Sequence, residues 1–448
     1  MSPLVYRTVE FLRTLVVGVP LGSDLGLLQL LWALVSGQLL AQRGALLPAL
    51  SAIGLAPAAV LRCWRCFAHG RWSCAGLLAA LQRQVGAEGL WQAHDYGGYA
   101  PVACDVTAFF RPTLRNCRTR HYSSTAKRML AALPFGLLVR IGSVGTQRIP
   151  VPLAIVRATP DQREESELMQ RLLLEAAAQL QPHEVLVADR GFGVALMQRS
   201  GVQHFVLRCA KNAVAYRQTP AAYCGRGRKP TRGALVRPLA RCYKGQTLPA
   251  TPPDRTECWQ EAHGTIQAQL WEGLTVKGAP AAAAAVRLVA IYDPHYREPL
   301  LLATTLALAP QALRSFYLDR WPVEMLPQSA KQLLGAHRQF VFGAEARWRL
   351  PELSLCAAAA ALYLAATLPP HRTGFWDRAP RPTAGRLRRQ LSALPFPADA
   401  PCVAQMRKKQ TVTAHLPKGV AAHRREPSGH QRPNQLRKRL SKPRVTRN

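Results

Sequence analysis

Val102-Ala-Cys-Asp105-Val-Thr107 marks the point where the hydrophobic period of this chain turns from helical to strand-like, with one acid set in the middle of an apolar run. Before it, over 1–97, apolar residues recur every three or four positions, as in Leu27-Leu-Gln-Leu-Leu-Trp-Ala-Leu-Val35, which predicts an all-α N-terminal domain. After it, strands are expected over 136–144 and 149–156 around a Gly-Thr-Gln turn. An acidic-fronted helix over 161–180 follows, then a buried strand Glu184-Val-Leu-Val-Ala188, a short helix and a strand Phe205-Val-Leu207. Three strands, a helix, a strand, a helix and a strand make an α/β core, beginning over 98–209. Buried acids are expensive unless they are paired or hold a metal, so Asp105 needs a reason to be where it is.

Over 210–285 the character shifts to Pro, Gly, Thr and Arg with short strand candidates such as 265–270, which suggests a β-rich insertion subdomain. Its loop Gly225-Arg-Gly-Arg-Lys-Pro230 is either a cationic finger suited to a minor groove or a solvated surface loop. A hairpin over 287–291 and 299–304, around an Asp-Pro turn, opens the end of the core (286–370), and the apolar helix expected over 353–368 belongs inside it. The last segment, 371–448, holds 19 Lys or Arg against three acids, so it reads as a basic, largely disordered tail. In the first domain, 48–53, the break Gly54-Leu-Ala-Pro57 and 58–68 form a helix pair. This is a possible helix-turn-helix turning Arg62 and Arg65 to DNA, or a plain packed pair.

A length of 448 residues suggests two to four units, and a formal charge of +34 with pI near 10.8 predicts attraction to a polyanion. Nucleic acid is the first candidate; an anionic membrane surface or ribosome-like binding competes with it. The eleven cysteines follow no repeating interval, and Cys63-Trp-Arg-Cys66 has no second pair to complete a zinc site. Buried free thiols in a reducing cytoplasm are therefore expected. The apolar run over 27–41 is interrupted by Gln29, Ser36, Gly37 and Gln38 and is shorter than the ~20 residues a span requires, so a core helix, and no membrane, is expected.

The chemistry concentrates in Tyr317-Leu-Asp-Arg320-Trp-Pro-Val-Glu324-Met-Leu-Pro-Gln-Ser-Ala-Lys331. Arg320, Glu324 and Lys331 stand three, seven and fourteen positions beyond Tyr317, so a continuous helix would present all four on one stripe. A solvated salt-bridge face has the same appearance. Pro322 suits a helix start, but Pro327 in a helix interior removes a hydrogen bond and clashes with the preceding turn. Asp189 follows the strand 184–188 directly, and if that strand neighbours the one bearing Asp105, the two acids emerge together. A helix across that edge would add Glu324. Such an oxygen cluster suits two Mg²⁺ ions, with Mn²⁺ as a substitute, roughly 4 Å apart, that activate a water or a 3′ hydroxyl for in-line phosphoryl transfer. Arg offers a planar fork to phosphate, Lys a point charge and Tyr a neutral donor.

With Asp105 in a strand, Ala188-Asp189-Arg-Gly-Phe and the Tyr-x2-Arg-x3-Glu-x6-Lys string, the chain resembles bacterial insertion-sequence transposases of the DDE class. More narrowly it resembles the insertion-sequence-four group with the Tyr-Arg-Glu-Lys signature, over about 102–368. The resemblance implies a ribonuclease-H-like catalytic core with a β-rich insertion before the catalytic Glu, and cut-and-paste movement of DNA. It implies that Asp105, Asp189 and Glu324 are catalytic and hold metal, and that Tyr317, Arg320 and Lys331 grip phosphates near the transferred end. It also implies that Trp321 stacks on a displaced base. The partners implied are double-stranded DNA, as element ends and target, and a second copy in a homodimer on DNA, with a cytoplasmic, nucleoid-associated location. The rival readings are a ribonuclease-H-like nuclease without strand transfer, which would use the same carboxylates, and a non-catalytic basic DNA-binding protein.

Because nearly half of the excess charge falls after residue 370, truncation after Ala404 is expected to flatten the slope of log affinity for duplex DNA against log salt. Binding titrations from about 50 to 200 mM salt measure it, and an unchanged slope would remove the tail from DNA contact.

Overall fold

The hydroxyl of Ser2 accepts from Val5 N, and Pro3 supplies a fixed φ where an amide proton would have no partner, so the first helix, α1 (Pro3–Val16), starts at once. Five more follow: α2 (Asp24–Val35), α3 (Gln38–Ala41), α4 (Leu46–Ala52), α5 (Pro57–His69) and α6 (Cys74–Glu88). The computed structural model describes residues 2–19, 23–162, 164–220, 222, 230–398 and 400. Helix α2 is apolar all round and correspondingly buried, the mark of a core helix. Against it, Cys63 Sγ donates to Gln29 Oε1 at 3.1 Å and Cys66 Sγ to Ser23 O at 2.9 Å. Burial pushes the two thiols up to about 12 and about 11, so both are inert packing groups. The expected helix pair is present as α4 and α5, with Arg62 and Arg65 exposed.

The strands are β1 (Trp91–Ala93), β2 (Ala100–Phe110), β3 (Arg120–Ser123), β4 (Arg128–Val144), β5 (Gln147–Arg157), β6 (Glu184–Ala188) and β7 (Phe205–Arg208). Helix α7 (Glu165–Gln179) separates β5 from β6, and α8 (Val194–Arg199) separates β6 from β7. The strand β1 lies inside the stretch expected to be all helical, so the helical region closes at Glu88. β4 pairs antiparallel with β2 and β5, whereas β2, β6 and β7 run parallel, giving the order β5-β4-β2-β6-β7. Leu172 of α7 packs directly over Gly136 of β4: a Cβ there would sit 2.9 Å from a Leu172 methyl and would push that side chain aside, so the glycine lets the helix lie close on the strand.

The inserted region supplies β8 (Ala215–Arg217), β9 (Leu235–Val236), β10 (Arg241–Tyr243), β11 (Gln246–Leu248), β12 (Arg255–Glu261) and β13 (Gly264–Thr275). It is β-rich, but only β10 and β11 form a sheet of their own. β13 pairs with β14 (Val286–Tyr292), and β14 with β15 (Leu300–Thr304), which joins β7. The result is one mixed sheet of thirteen strands among the described residues, with the insertion continuing the core sheet.

Four helices and a π turn complete the description: α9 (Pro310–Leu318), α10 (Pro322–Gln328), the π turn Ser329–Leu333, α11 (Ala346–Thr367) and α12 (Ala384–Leu391). α11 is long and apolar enough to cross a membrane by length and composition, yet 89% of its apolar window is buried inside the protein. The front helices, β4, β5 and α11 share one continuous core. α12 corrects part of the expected disordered tail: Thr383 caps it, and Leu387 and Leu391 are buried. The cationic loop at 225–229 and the tail beyond 400 lie outside the described residues.

Phe135 on β4 is fully buried and meets Phe109 of β2 edge-on at 5.7 Å and Trp348 of α11 at 5.5 Å. Phe135→Ala is expected to cost about 3–5 kcal/mol in urea unfolding, because the two rings left around the cavity belong to different elements, β2 and α11, and cannot both close in on it.

Candidate active site

Asp105 and Asp189 come together through backbone pairing. In the parallel ladder of β2 and β6, Cys104 lies opposite Ala188, so the next residue of each strand is an acid at the same sheet edge. The sharp exit Asp189-Arg-Gly-Phe192 then turns into α8. Asp105 Oδ1 accepts from Val106 N at 2.8 Å, and Asp189 Oδ1 from Arg190 N at 2.7 Å. Burial pushes the Asp105 carboxyl up to about 6; Arg320 opposes the shift, and the charges of Glu324 and Asp189 add to it.

The Tyr-Arg-Glu-Lys string does not form one helix. Tyr317 lies in the last turn of α9, Arg320 and Trp321 occupy a corner, Glu324 lies in the first turn of α10, and Lys331 falls in the π turn. Asp319 closes α9 through its amide bond to Ser315 O at 3.0 Å, and Pro322 starts a new helix. Pro327 cannot donate back into α10, and the backbone widens immediately afterwards, with Leu334 N bonding five residues back to Ser329 O at 3.1 Å. The single stripe is thus replaced by a bent path, but the side chains still converge. Arg320 Nη2 donates to Glu324 Oε1 at 2.7 Å. Lys331 Nζ donates to Thr107 Oγ1 at 2.8 Å and stands 5.3 Å from the Phe109 ring centre. Thr107 and Phe109 share a face of β2 with Asp105, so Lys331 lies along the same row. Burial pulls the Lys331 ammonium down to about 8, with the Asp105 charge opposing.

Tyr317 OH donates to Asp189 Oδ1 at 3.4 Å, and Arg208 Nη1 stands 3.7 Å from the same oxygen and 3.5 Å from Tyr317 OH. Arg208 ends β7, the next parallel strand, and was missed in the sequence; the available signal was its place at the C-terminal end of a strand, as for Asp189. Arg320 is buried, and its Nε has no hydrogen-bond partner among the described residues. Trp321, 58% exposed, points away from the core and is free to meet a planar ligand. A cavity of 340 Å³ opens beside Tyr317, lined by Arg208, Tyr296 and Arg297 among others. Among the described residues, no three Asp, Glu, His or Cys side chains stand at the spacing of a ready-made metal cage. Glu324 instead turns to Arg320. No protein-family model and no curated protein matches the chain.

The raised Asp105 value gives a stability test with a defined sign. An unfolded Asp titrates near ~3.9, so folding favours the protonated form and its contribution is complete below that pH. It is lost as pH rises to about 6 and stays lost at neutrality. Asp105→Asn is therefore expected to raise the thermal midpoint at pH 7.5 and to remove part of the decline between pH 4 and 6, both measured by thermal unfolding.

Proposed function

We propose that this chain is a DDE-type DNA transposase that binds the terminal inverted repeats of an insertion element, cuts the DNA ends and joins them to a target. The observation that carries this reading is the side-by-side emergence of Asp105 and Asp189 from parallel neighbours β2 and β6, with Glu324, Arg320, Tyr317 and Lys331 gathered over that edge. The strand order β5-β4-β2-β6-β7, with only β4 antiparallel to its β2 neighbour before β6 and β7 continue in parallel, is the order expected of a ribonuclease-H-like core. The late Glu after a β-rich insertion agrees with it.

The residues fit a divalent cation in their chemistry. A buried carboxyl held up to about 6, to which the charges of Glu324 and Asp189 add, is a group that a hard cation would stabilise as the anion. Asp105 and Asp189 would hold Mg²⁺, with Glu324 joining in exchange for its Arg320 partner. Bound there, the metal would supply an activated oxygen nucleophile and charge stabilisation for the leaving group.

The chain's own groups do the rest. Arg320, with one buried N–H lacking a partner, and Lys331, already partly desolvated, are donors for non-bridging phosphate oxygens. Tyr317 and Arg208 hold Asp189 from one side and can meet phosphate from the other. Trp321 offers a face for base stacking, and the cavity beside Tyr317 would admit part of a nucleotide. The large positive charge supplies sequence-independent DNA affinity.

Asp189→Ala is expected to retain duplex binding and to lose Mg²⁺-dependent cleavage by more than 10³-fold, as gel assays on end-bearing DNA would show. Pre-cut ends offered with target DNA should give joined product; cleavage without joining would indicate a nuclease, and unchanged behaviour of the variant a non-catalytic binding protein.

A further inference from the structure

The acid nearest the signature residues in sequence is one that the proposed chemistry does not use. Asp319 sits at the corner between α9 and α10, two residues after Tyr317 and directly before Arg320, and its side chain is completely buried. Three groups from distant parts of the chain converge on it. His94 Nδ1 and Tyr96 OH, the latter at 3.0 Å, meet Oδ2, and Arg148 Nε lies 3.2 Å from Oδ1. Oδ1 accepts no hydrogen bond among the described residues, so the carboxylate is held there by charge. His94 and Tyr96 are themselves anchored. His94 N bonds to Ile141 O at 3.1 Å and His94 Nε2 to Ser143 Oγ at 2.6 Å, while the Tyr96 ring packs on Phe316 at 4.8 Å.

The geometry points to Asp319 as a positioning residue that fixes the α9–α10 corner against the β1 end of the sheet, and so sets where Tyr317 and Arg320 stand relative to Asp105 and Asp189. A solvent-facing corner would not need a buried carboxylate, which is costly without compensation. Here the compensation comes from the other end of the same strands, beyond the start of β2: His94 follows β1, Ser143 lies next to the end of β4 and Arg148 faces it from β5, while the acids emerge past Cys104 and Ala188. Among the described residues, no side-chain hydrogen bond or ion pair ties Tyr317 or Arg320 to the segment before β2. Their reach to Asp189 and Glu324 is set by where the corner lies, and displacements near 1 Å in such a site cost about 10²-fold in rate.

This inference deepens the proposed function and rests on it for its catalytic consequence, so the experiment separates the two. Asp319→Asn, Asp319→Ala and Tyr96→Phe in the full chain are compared with the parent for Mg²⁺-dependent cleavage, duplex binding, thermal midpoint and backbone hydrogen exchange. The expected result is unchanged duplex binding with turnover per folded molecule at least tenfold lower in Asp319→Ala, and a higher Mg²⁺ concentration for half-maximal rate. Asp319→Asn, which keeps the shape and an acceptor, should fall between, and faster exchange should be confined to 316–325. A purely structural acid would lower the midpoint while leaving turnover and metal dependence of the folded fraction as in the parent, which would overturn the inference. If the parent itself does not cleave, the proposed function fails. The exchange data then decide the positioning claim alone: protection lost only around the corner supports it, and unchanged or diffuse protection rejects it.

Discussion

The pairing of β2 with β6 is the constraint on which the rest depends. A parallel ladder places residues of equal register at one edge, and with Cys104 opposite Ala188 the next positions, both acidic, must share that edge. Two carboxylates side by side on a largely apolar sheet repel each other and resist desolvation. The chain tolerates this by ringing the edge with Arg320, Arg208 and Lys331, and by letting Asp105 keep its proton well above the usual carboxylate range. The arrangement costs stability at neutral pH, which under the proposed reading is the cost of keeping the group for chemistry.

The surrounding cations have two partners to choose between. Arg320 holds Glu324, and Arg208 with Tyr317 holds Asp189. In the proposed reading Asp189 and Glu324 would hold a divalent cation when it is bound, and Arg320, Arg208 and Tyr317 would then be available to phosphate, so one set of side chains would serve both the resting and the DNA-bound protein. Lys331 is anchored differently, on the neutral Thr107 hydroxyl, and its lowered ammonium value reflects burial that the Asp105 charge only partly offsets.

The bend in the signature string shows how the fold overrides local periodicity. A continuous helix would have aligned Tyr317, Arg320, Glu324 and Lys331 through intrahelical spacing alone. Two prolines and the buried Asp319 divide it instead, and the positions of the fragments are set by what they pack on: α9 on β7 and β14, α10 on β2 and β4. The front helices take part, because they share a core with β4, β5 and α11 and carry the segment that holds Asp319.

Asp105 in an apolar run, Asp189 at a strand end and the spacing of Tyr317, Arg320, Glu324 and Lys331 were all legible in the sequence, because each depends on residue type within a local period. So were the strands of the mixed α/β core, the buried helix α11 and the inert thiols Cys63 and Cys66. What the sequence could not supply was whatever depends on which distant segments meet. The insertion's strands extend the main sheet, part of the presumed tail packs as α12, Arg208 stands beside Asp189, and His94, Tyr96 and Arg148 close on Asp319. Local propensity reports how a segment bends, whereas partners from separate elements are chosen only when burial and charge are settled for the whole chain at once.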